Sequence, residues 1–216
     1  MNKAGPPSEE LVYIVDDDEA ICAGLCDLLE SAGLKTRAFG SAEEFLEACG
    51  PGMKGCLVLD VRLPGMSGMQ LQSKLADSGI GLPIIIMTAH GDVPMVKQAL
   101  KSGAVDFLTK PFQDDELLQA VEQAFRIDRT TRQSDSLVSS IAARVETLTE
   151  REQRVLELVT AGLTNREVAV KMFLSLPTVK LYRGQVMRKM HADSLADLVK
   201  MAEKLKEPGS SEPHSR

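Results

Sequence analysis

Three carboxylates, a threonine and a lysine stand at the ends of short apolar runs. Asp16 and Asp17 follow Leu11 to Val15, Asp60 closes Cys56 to Asp60, Thr88 closes Pro83 to Thr88, and Lys110 with Pro111 follows Val105 to Thr109. Carboxylates crowded into one crevice repel one another, so such a cluster either carries raised pKa values or holds a hard cation. Mg²⁺, or Mn²⁺ in its place, is the better fit: it accepts a few carboxylate or carbonyl oxygens and keeps several waters. With one oxygen of Asp60 on the metal, the other is free to attack phosphorus and form an aspartyl phosphate. Lys110 and Thr88 then balance the phosphoryl oxygens, and no general base is required. Taken singly, each feature is ordinary, since a DD pair caps helices and Lys-Pro makes plain turns; their order along the chain is what carries the reading. No further nucleophile, cofactor loop or second metal cluster is visible. The chain is therefore expected not to be an enzyme for an external substrate, but to gain and lose a phosphoryl group on its own aspartate.

These residues need a scaffold that brings strand ends together. The four apolar runs, with the more polar Lys35 to Phe39, read as strands, and amphipathic stretches beginning near Glu19, Ser41, Ser67, Asp92 and Gln113 read as helices. Asp18 is placed to cap the first, and Ser41 with Glu44 forms a capping box. Near-continuous apolar strands alternating with helices predict an α/β doubly wound, five-stranded parallel sheet, in which sites form at the carboxyl ends of the strands. This first domain is assigned to residues 9–127. Residues 128–146 lack strong apolar runs and are read as a linker, partly helical. Residues 147–207 are purely helical, with capping boxes at Thr149/Glu152 and Thr164/Glu167, a stop signal at Gly162 and caps at Ser175 and Ser194. They make a small all-α four-helix domain, and 208–216 reads as a disordered tail.

The net charge of −6 hides an asymmetry. Residues 1–128 carry 10 Lys and Arg against 20 Asp and Glu, whereas 147–207 carry 11 against 8, so an acidic front precedes a basic back suited to a polyanion. At 216 residues, 44% hydrophobic and 26% charged, the chain has material for two folded domains and is not disordered. Cys22, Cys26, Cys49 and Cys56 form no CxxC pair and read as small core hydrophobes in a reducing compartment. No run approaches the ~18 apolar residues of a membrane span, so no membrane partner is expected and a cytoplasmic location is.

The strings YIVDDDEA, LVLDVRLPGMSG, IIIMTAHGDVPM and AVDFLTKPF resemble the flavodoxin-like receiver domain of two-component response regulators, in the FixJ-like branch. The resemblance implies Asp17, Asp60 and the backbone carbonyl of Arg62 as direct Mg²⁺ ligands, Asp16 acting through water, and Asp60 as the phosphoacceptor of a sensor histidine kinase. It implies a cis peptide before Pro111 that aims Lys110 into the site. Thr88 and Phe107 would be a switch pair, altering the surface around the helix that begins at Asp92, which in this family becomes a homodimer face after phosphorylation. His90, two residues past Thr88, reads as an exposed loop histidine.

Helices at Asn165 to Met172 and Leu176 to Met190, joined by a tight turn, have the spacing of a helix-turn-helix, and the domain is similar to the LuxR/NarL type. Val179, Val186 and Met190 form an inward stripe on the second helix, while Lys180, Arg183 and Gly184 point outward. The resemblance places Lys180, Leu181 and Gly184 toward base edges. Thr178, Tyr182, Arg183, Arg188 and Lys189, with Asn165 and Arg166, would mostly hold phosphates, and Ser175 and Val179 complete the assigned DNA-binding set. Tyr182 replaces a common histidine, and Phe173 occupies a turn position usually given to glycine. The reading that follows is a transcriptional activator switched by phosphorylation, acting as a homodimer on double-stranded promoter DNA and engaging RNA polymerase. The alternative is a phosphorelay or interaction module whose helical domain does not read DNA.

Overall fold

The computed structural model describes residues 10–50, 52–89 and 99–206. His90, the helix expected from Asp92, and the tail at 208–216 lie outside the described residues. The first unit, described to Thr131, holds β1 (Leu11–Val15), α1 (Glu19–Ser31), β2 (Lys35–Phe39), α2 (Ala42–Ala48), β3 (Gly55–Asp60), α3 (Gly68–Asp77), β4 (Ile84–Thr88) and β5 (Asp106–Thr109). The strands form one sheet of order β2-β1-β3-β4-β5, every pairing parallel. All six residues of β3 are buried, as a central strand covered on both faces must be.

Alternation along the strands sorts the core into two layers. Tyr13, Val15, Leu57, Leu59, Ile84 and Ile86 face one side with Phe39, Phe45, Leu71 and Leu75. Val12, Ile14, Val58, Ile85 and Met87 face the other with Leu25, Leu29, Leu117 and Phe125. Cys22 and Cys56 are buried among the latter, and all four cysteines are free thiols. The helix starts are chemically specified. Asp18 accepts from the Ala20 and Ile21 amides, and Ser67 with Gln70 forms a reciprocal box. Ser41 accepts from Glu44, but the Glu44 carboxylate reaches back to the Gly40 amide instead of that of Ser41, so the expected box is offset by one residue.

The next helix, α4 (Asp114–Glu146), corrects the linker reading, because residues 128–146 are helical throughout. Asp128 and Arg129 are seated on the first unit. Asp128, 3% exposed, accepts from the Gly55 amide at 3.0 Å, and Arg129 grips Glu10 with two hydrogen bonds of 2.8 and 3.0 Å. Further along, Ile141 and Val145 pack within the second unit, which begins at Arg132.

That second unit comprises α5 (Glu150–Thr160), α6 (Asn165–Met172), α7 (Leu176–Met190) and α8 (Leu195–Lys204), around Val155, Val159, Val168, Val179, Val186, Met190 and Leu198. Both capping boxes form, and Ser175 and Ser194 cap α7 and α8. Three helices of this unit end in the same left-handed turn, α7 doing so at His191, where φ is 54° and Ala192 donates to the Met187 carbonyl at 3.0 Å. After α5, Gly162 has φ +89° and Leu163 donates to the Leu158 carbonyl at 3.1 Å; after α6, Phe173 has φ 54° and Leu174 donates to Ala169 at 3.0 Å. Phe173 is 96% exposed, so its ring contributes no packing against the left-handed backbone cost of about 1–2 kcal/mol. Phe173→Gly is expected to raise stability by about 1 kcal/mol, after the extra chain entropy of glycine is subtracted. Urea unfolding checks this; a loss of stability would contradict it.

Candidate functional site

The strand order sets the C-terminal ends of β1, β3, β4 and β5 side by side. Asp16 follows β1, Asp60 ends β3, Thr88 ends β4 and Lys110 follows β5. The Lys110 Nζ lies 2.6 Å from Asp16 Oδ2 and 2.7 Å from Asp60 Oδ1, bridging two carboxylates that are 2% and 6% exposed. The backbone orients both: Asp16 Oδ1 accepts from the Asp18 amide at 3.0 Å, and Asp60 Oδ2 from the Arg62 amide at 2.5 Å. Burial pulls the Lys110 pKa down, but its hydrogen bonds to Asp16 and Asp60 outweigh this and hold it above the ordinary lysine value. The Lys110 amide donates to the Thr88 carbonyl at 2.8 Å, and the Lys110–Pro111 peptide is cis. Thr88 is buried, and Phe107 is half-buried against the core layer that contains Leu59 and Ile86.

Asp17 and Arg62 are exposed beside this pair. Among the described residues no three His, Cys, Asp or Glu side chains are grouped to hold a metal, and the Lys110 ammonium stands between Asp16 and Asp60. The donor set nonetheless fits a hard divalent cation. It is all oxygen, and the two buried carboxylates against one ammonium leave one uncompensated negative charge. Sequence reasoning missed Gly68, whose ideal Cβ would lie 2.1 Å from the Asp60 carbonyl oxygen. The only signal was a small residue directly after the Ser67 cap in LPGMSG.

In the second unit, α7 presents Lys180, Leu181, Gly184 and Arg188 as exposed residues, Leu181 being 61% exposed. Thr178 lies at the first turn of α7, its hydroxyl 2.7 Å from that of the cap, Ser175. Asn165 begins α6, followed by exposed Arg166. Two assigned contacts are corrected. Val179 is fully buried in the core and offers no surface to a base. The Lys189 ammonium is bound by Glu152 Oε2 at 2.6 Å and the Thr147 carbonyl at 3.1 Å, so it ties α7 to the capping box of α5. Arg183 is half-buried instead of pointing outward, its guanidinium 2.9 Å from Asn165 Oδ1.

Glu152 is 3% exposed, and Lys189, with the Thr149 amide after it, holds its carboxyl below the ordinary glutamate value of 4.5. A carboxylate whose folded pKa is lowered stabilises above its unfolded value and loses that contribution as pH falls through the folded one. Lys189→Met is therefore expected to cost about 1–2 kcal/mol at neutral pH, reduced by the partial exposure of Lys189. The difference from wild type should shrink as pH falls below the ordinary glutamate value and vanish once it has passed the lowered value of folded Glu152. Denaturant unfolding across this range checks it; a pH-independent difference would contradict it.

A five-stranded parallel α/β unit with paired carboxylates and a lysine at its strand ends, followed along the chain by a helix-turn-helix unit, defines a response regulator with its own DNA-binding domain. Residues 12–122 match the family model of the response regulator receiver domain, and 146–202 match that of the bacterial regulatory proteins of the luxR family. The chain is 50% identical to Nodulation protein W of Bradyrhizobium diazoefficiens, over 92% of this chain and 87% of that one. It is 44% identical to the transcriptional regulatory protein FixJ of the same organism, over 88% and 93%. The solved structure of the response regulator StyR matches with a TM-score of 0.81 at 43% identity, covering 91% of this chain and all of that one. The chain belongs to the FixJ-like two-component response regulators, a phosphorylation-controlled class of transcription regulator whose partners are a histidine kinase and DNA. Receiver domains bind Mg²⁺ at this acidic pocket, and response regulators are not classical enzymes. Among the described residues no helix is long and apolar enough to cross a membrane.

Proposed function

We propose that Asp60 is the phosphoacceptor. The observation that carries this is the Lys110 ammonium held between Asp16 and Asp60 at the carboxyl ends of β1 and β3. An Asp60 oxygen bonds to the phosphorus of the kinase phosphohistidine as the N–P bond breaks, and the electron pair leaves on the imidazole nitrogen. Lys110 and the Thr88 hydroxyl neutralise the phosphoryl oxygens, and the Arg62 amide holds the carboxylate in aim. Asp17, Asp60 and the Arg62 carbonyl would hold Mg²⁺ or Mn²⁺ directly, with Asp16 acting through water; the bound ion supplies positive charge to the transferred group. Hydrolysis of the acyl phosphate on Asp60 resets the protein. Incubation with acetyl phosphate tests this. Mass gain of one phosphoryl group, dependent on Mg²⁺ and mapped to Asp60, is expected; label on another residue would overturn it.

Phosphorylation draws the Thr88 hydroxyl to the phosphoryl group, and Phe107 turns into the vacated space. Phe107 is half-buried and pairs in register with Ile86, two residues before buried Thr88, which puts Phe107 and Thr88 on the same face of the sheet and supports this pairing. The resulting homodimer delivers two copies of α7 to two-fold promoter DNA in the cytoplasm, where the protein activates transcription through RNA polymerase. Lys180, Leu181 and Gly184 face the bases, and Asn165, Arg166, Ser175, Thr178, Tyr182, Arg183 and Arg188 the backbone.

Gly184 separates this reading from that of a DNA-silent interaction module. A Cβ there would meet nothing of the protein within 4 Å. Gly184→Ala should then stabilise the free protein by about 0.8–1 kcal/mol, the helix-propensity difference, while weakening DNA binding because the groove wall occupies that space. Unfolding and promoter-binding titrations check the two signs. Improved stability with unchanged DNA affinity would favour the module.

A further inference from the structure

A cleft of about 660 Å³ opens between the first turn of α5 and the flank of α7. Arg151, Tyr182, Gln185 and Arg188 line it, with Glu150 and the Glu152–Lys189 pair at its wall. The Glu152 carboxylate is committed to Lys189 and to the Thr149 amide, so it does not neutralise the two arginines. Arg151 is exposed, and its sole partner among the described residues is the Tyr182 hydroxyl at 3.4 Å. The Arg188 guanidinium has no hydrogen-bond or ion-pair partner among the described residues. By contrast Arg154, one turn along the same helix, is paired with Glu157 at 2.6 Å. Arg151 also stands in the first turn of α5, where the helix dipole disfavours a cation and favours an anion. Two guanidinia without an ion-pair partner, one of them hydrogen-bonded to a phenol hydroxyl, thus face one cleft and suit a tetrahedral oxyanion.

The position identifies which oxyanion. Arg188 lies one helical turn beyond Gly184, and Gln185 one turn beyond Leu181, so the cleft borders the face of α7 assigned to base edges. A duplex with α7 in its major groove carries a sugar-phosphate strand past that border. We propose that Arg151, Tyr182 and Arg188 clamp one backbone phosphate of duplex DNA, extending the DNA interface from the helix-turn-helix to the start of α5. This rests on the DNA-binding reading of α7. It assigns Arg151, which no motif singled out, a positioning role that fixes register without reading sequence.

The test is fluorescence anisotropy of the full-length protein with a labelled mixed-sequence duplex over a salt series. Arg151→Gln should weaken binding roughly threefold to tenfold and reduce the slope of log affinity against log salt by about 0.9, the value for one lost phosphate contact. Arg151→Lys should restore the slope, and Arg154→Gln should leave slope and affinity at wild-type values. Thermal unfolding of Arg151→Gln should match wild type, because the side chain is exposed. If Arg151→Gln binds like Arg154→Gln, the clamp is overturned while DNA binding stands. If the wild-type protein shows no salt-dependent binding, the DNA-binding reading itself fails and the clamp fails with it.

Discussion

Asp60→Asn is expected to take up no phosphoryl group from acetyl phosphate, to show no response to beryllium fluoride and to activate no promoter, while remaining folded. The amide is nearly isosteric with the carboxylate, and its oxygen still accepts from the Arg62 amide, so the local backbone is retained. What is lost is nucleophilicity, which no neighbour restores: Asp16 is 2% exposed and already engaged by Lys110 and the Asp18 amide. The substitution relieves the repulsion between two buried carboxylates but turns the amide NH2 toward the Lys110 ammonium and loses that ion pair, so stability should stay within about 1–2 kcal/mol of wild type. Intact-mass measurement after incubation with Mg²⁺ and the phosphodonor reads the first effect and denaturant unfolding the last. Phosphoryl transfer to Asp17, the exposed neighbour, would contradict the assignment of Asp60.

Gly68→Ala is expected to be the most damaging single methyl group in the first unit whose effect reaches the site. Its Cβ would lie 2.1 Å from the Asp60 carbonyl oxygen, 3.0 Å from the carbonyl carbon and 3.1 Å from Val61 Cα, all backbone atoms with no rotamer to give way. The glycine cannot retreat either, since its amide donates to the Val61 carbonyl at 3.0 Å and the Ser67–Gln70 box fixes the start of α3. Relief therefore requires the end of β3 to move. The expected cost is about 3 kcal/mol, at the upper end for overpacking. A displacement of about 1 Å at Asp60 should slow phosphorylation about 100-fold. Urea unfolding and single-turnover phosphorylation measure the two; a stable variant phosphorylated at the wild-type rate would show that Asp60 tolerates the shift.

Local signals made most of the fold legible. Leu11–Val15 and Lys35–Phe39 are strands over the expected residues, and α6 and α7 span the residues expected of them, because apolar runs, serine caps and tight turns act over a few residues. The crevice was legible for the same reason, as strand ends in a parallel sheet converge. What was missed depends on distant partners. Asp128 and Arg129 look like linker polarity in sequence, yet one is buried on the Gly55 amide and the other grips Glu10. Lys189 looks like a free cation until Glu152, 37 positions away, is placed beside it. Val179 was legible as core from its place in the inward stripe with Val186 and Met190, and it was its inclusion in the DNA-binding set that conflicted with that stripe. Periodicity carries no information about such pairings, and a glycine such as Gly68 discloses its role only when the opposing carbonyl is in place.

The central claim is that chemistry at Asp60 controls assembly. Sedimentation velocity of the full chain with Mg²⁺, with and without beryllium fluoride, tests it most directly, using Asp60→Asn as the control. Conversion of monomer to dimer by the mimic in the wild-type protein alone is the predicted result. An unchanged mass in the wild type, or equal dimerisation of Asp60→Asn, would contradict it.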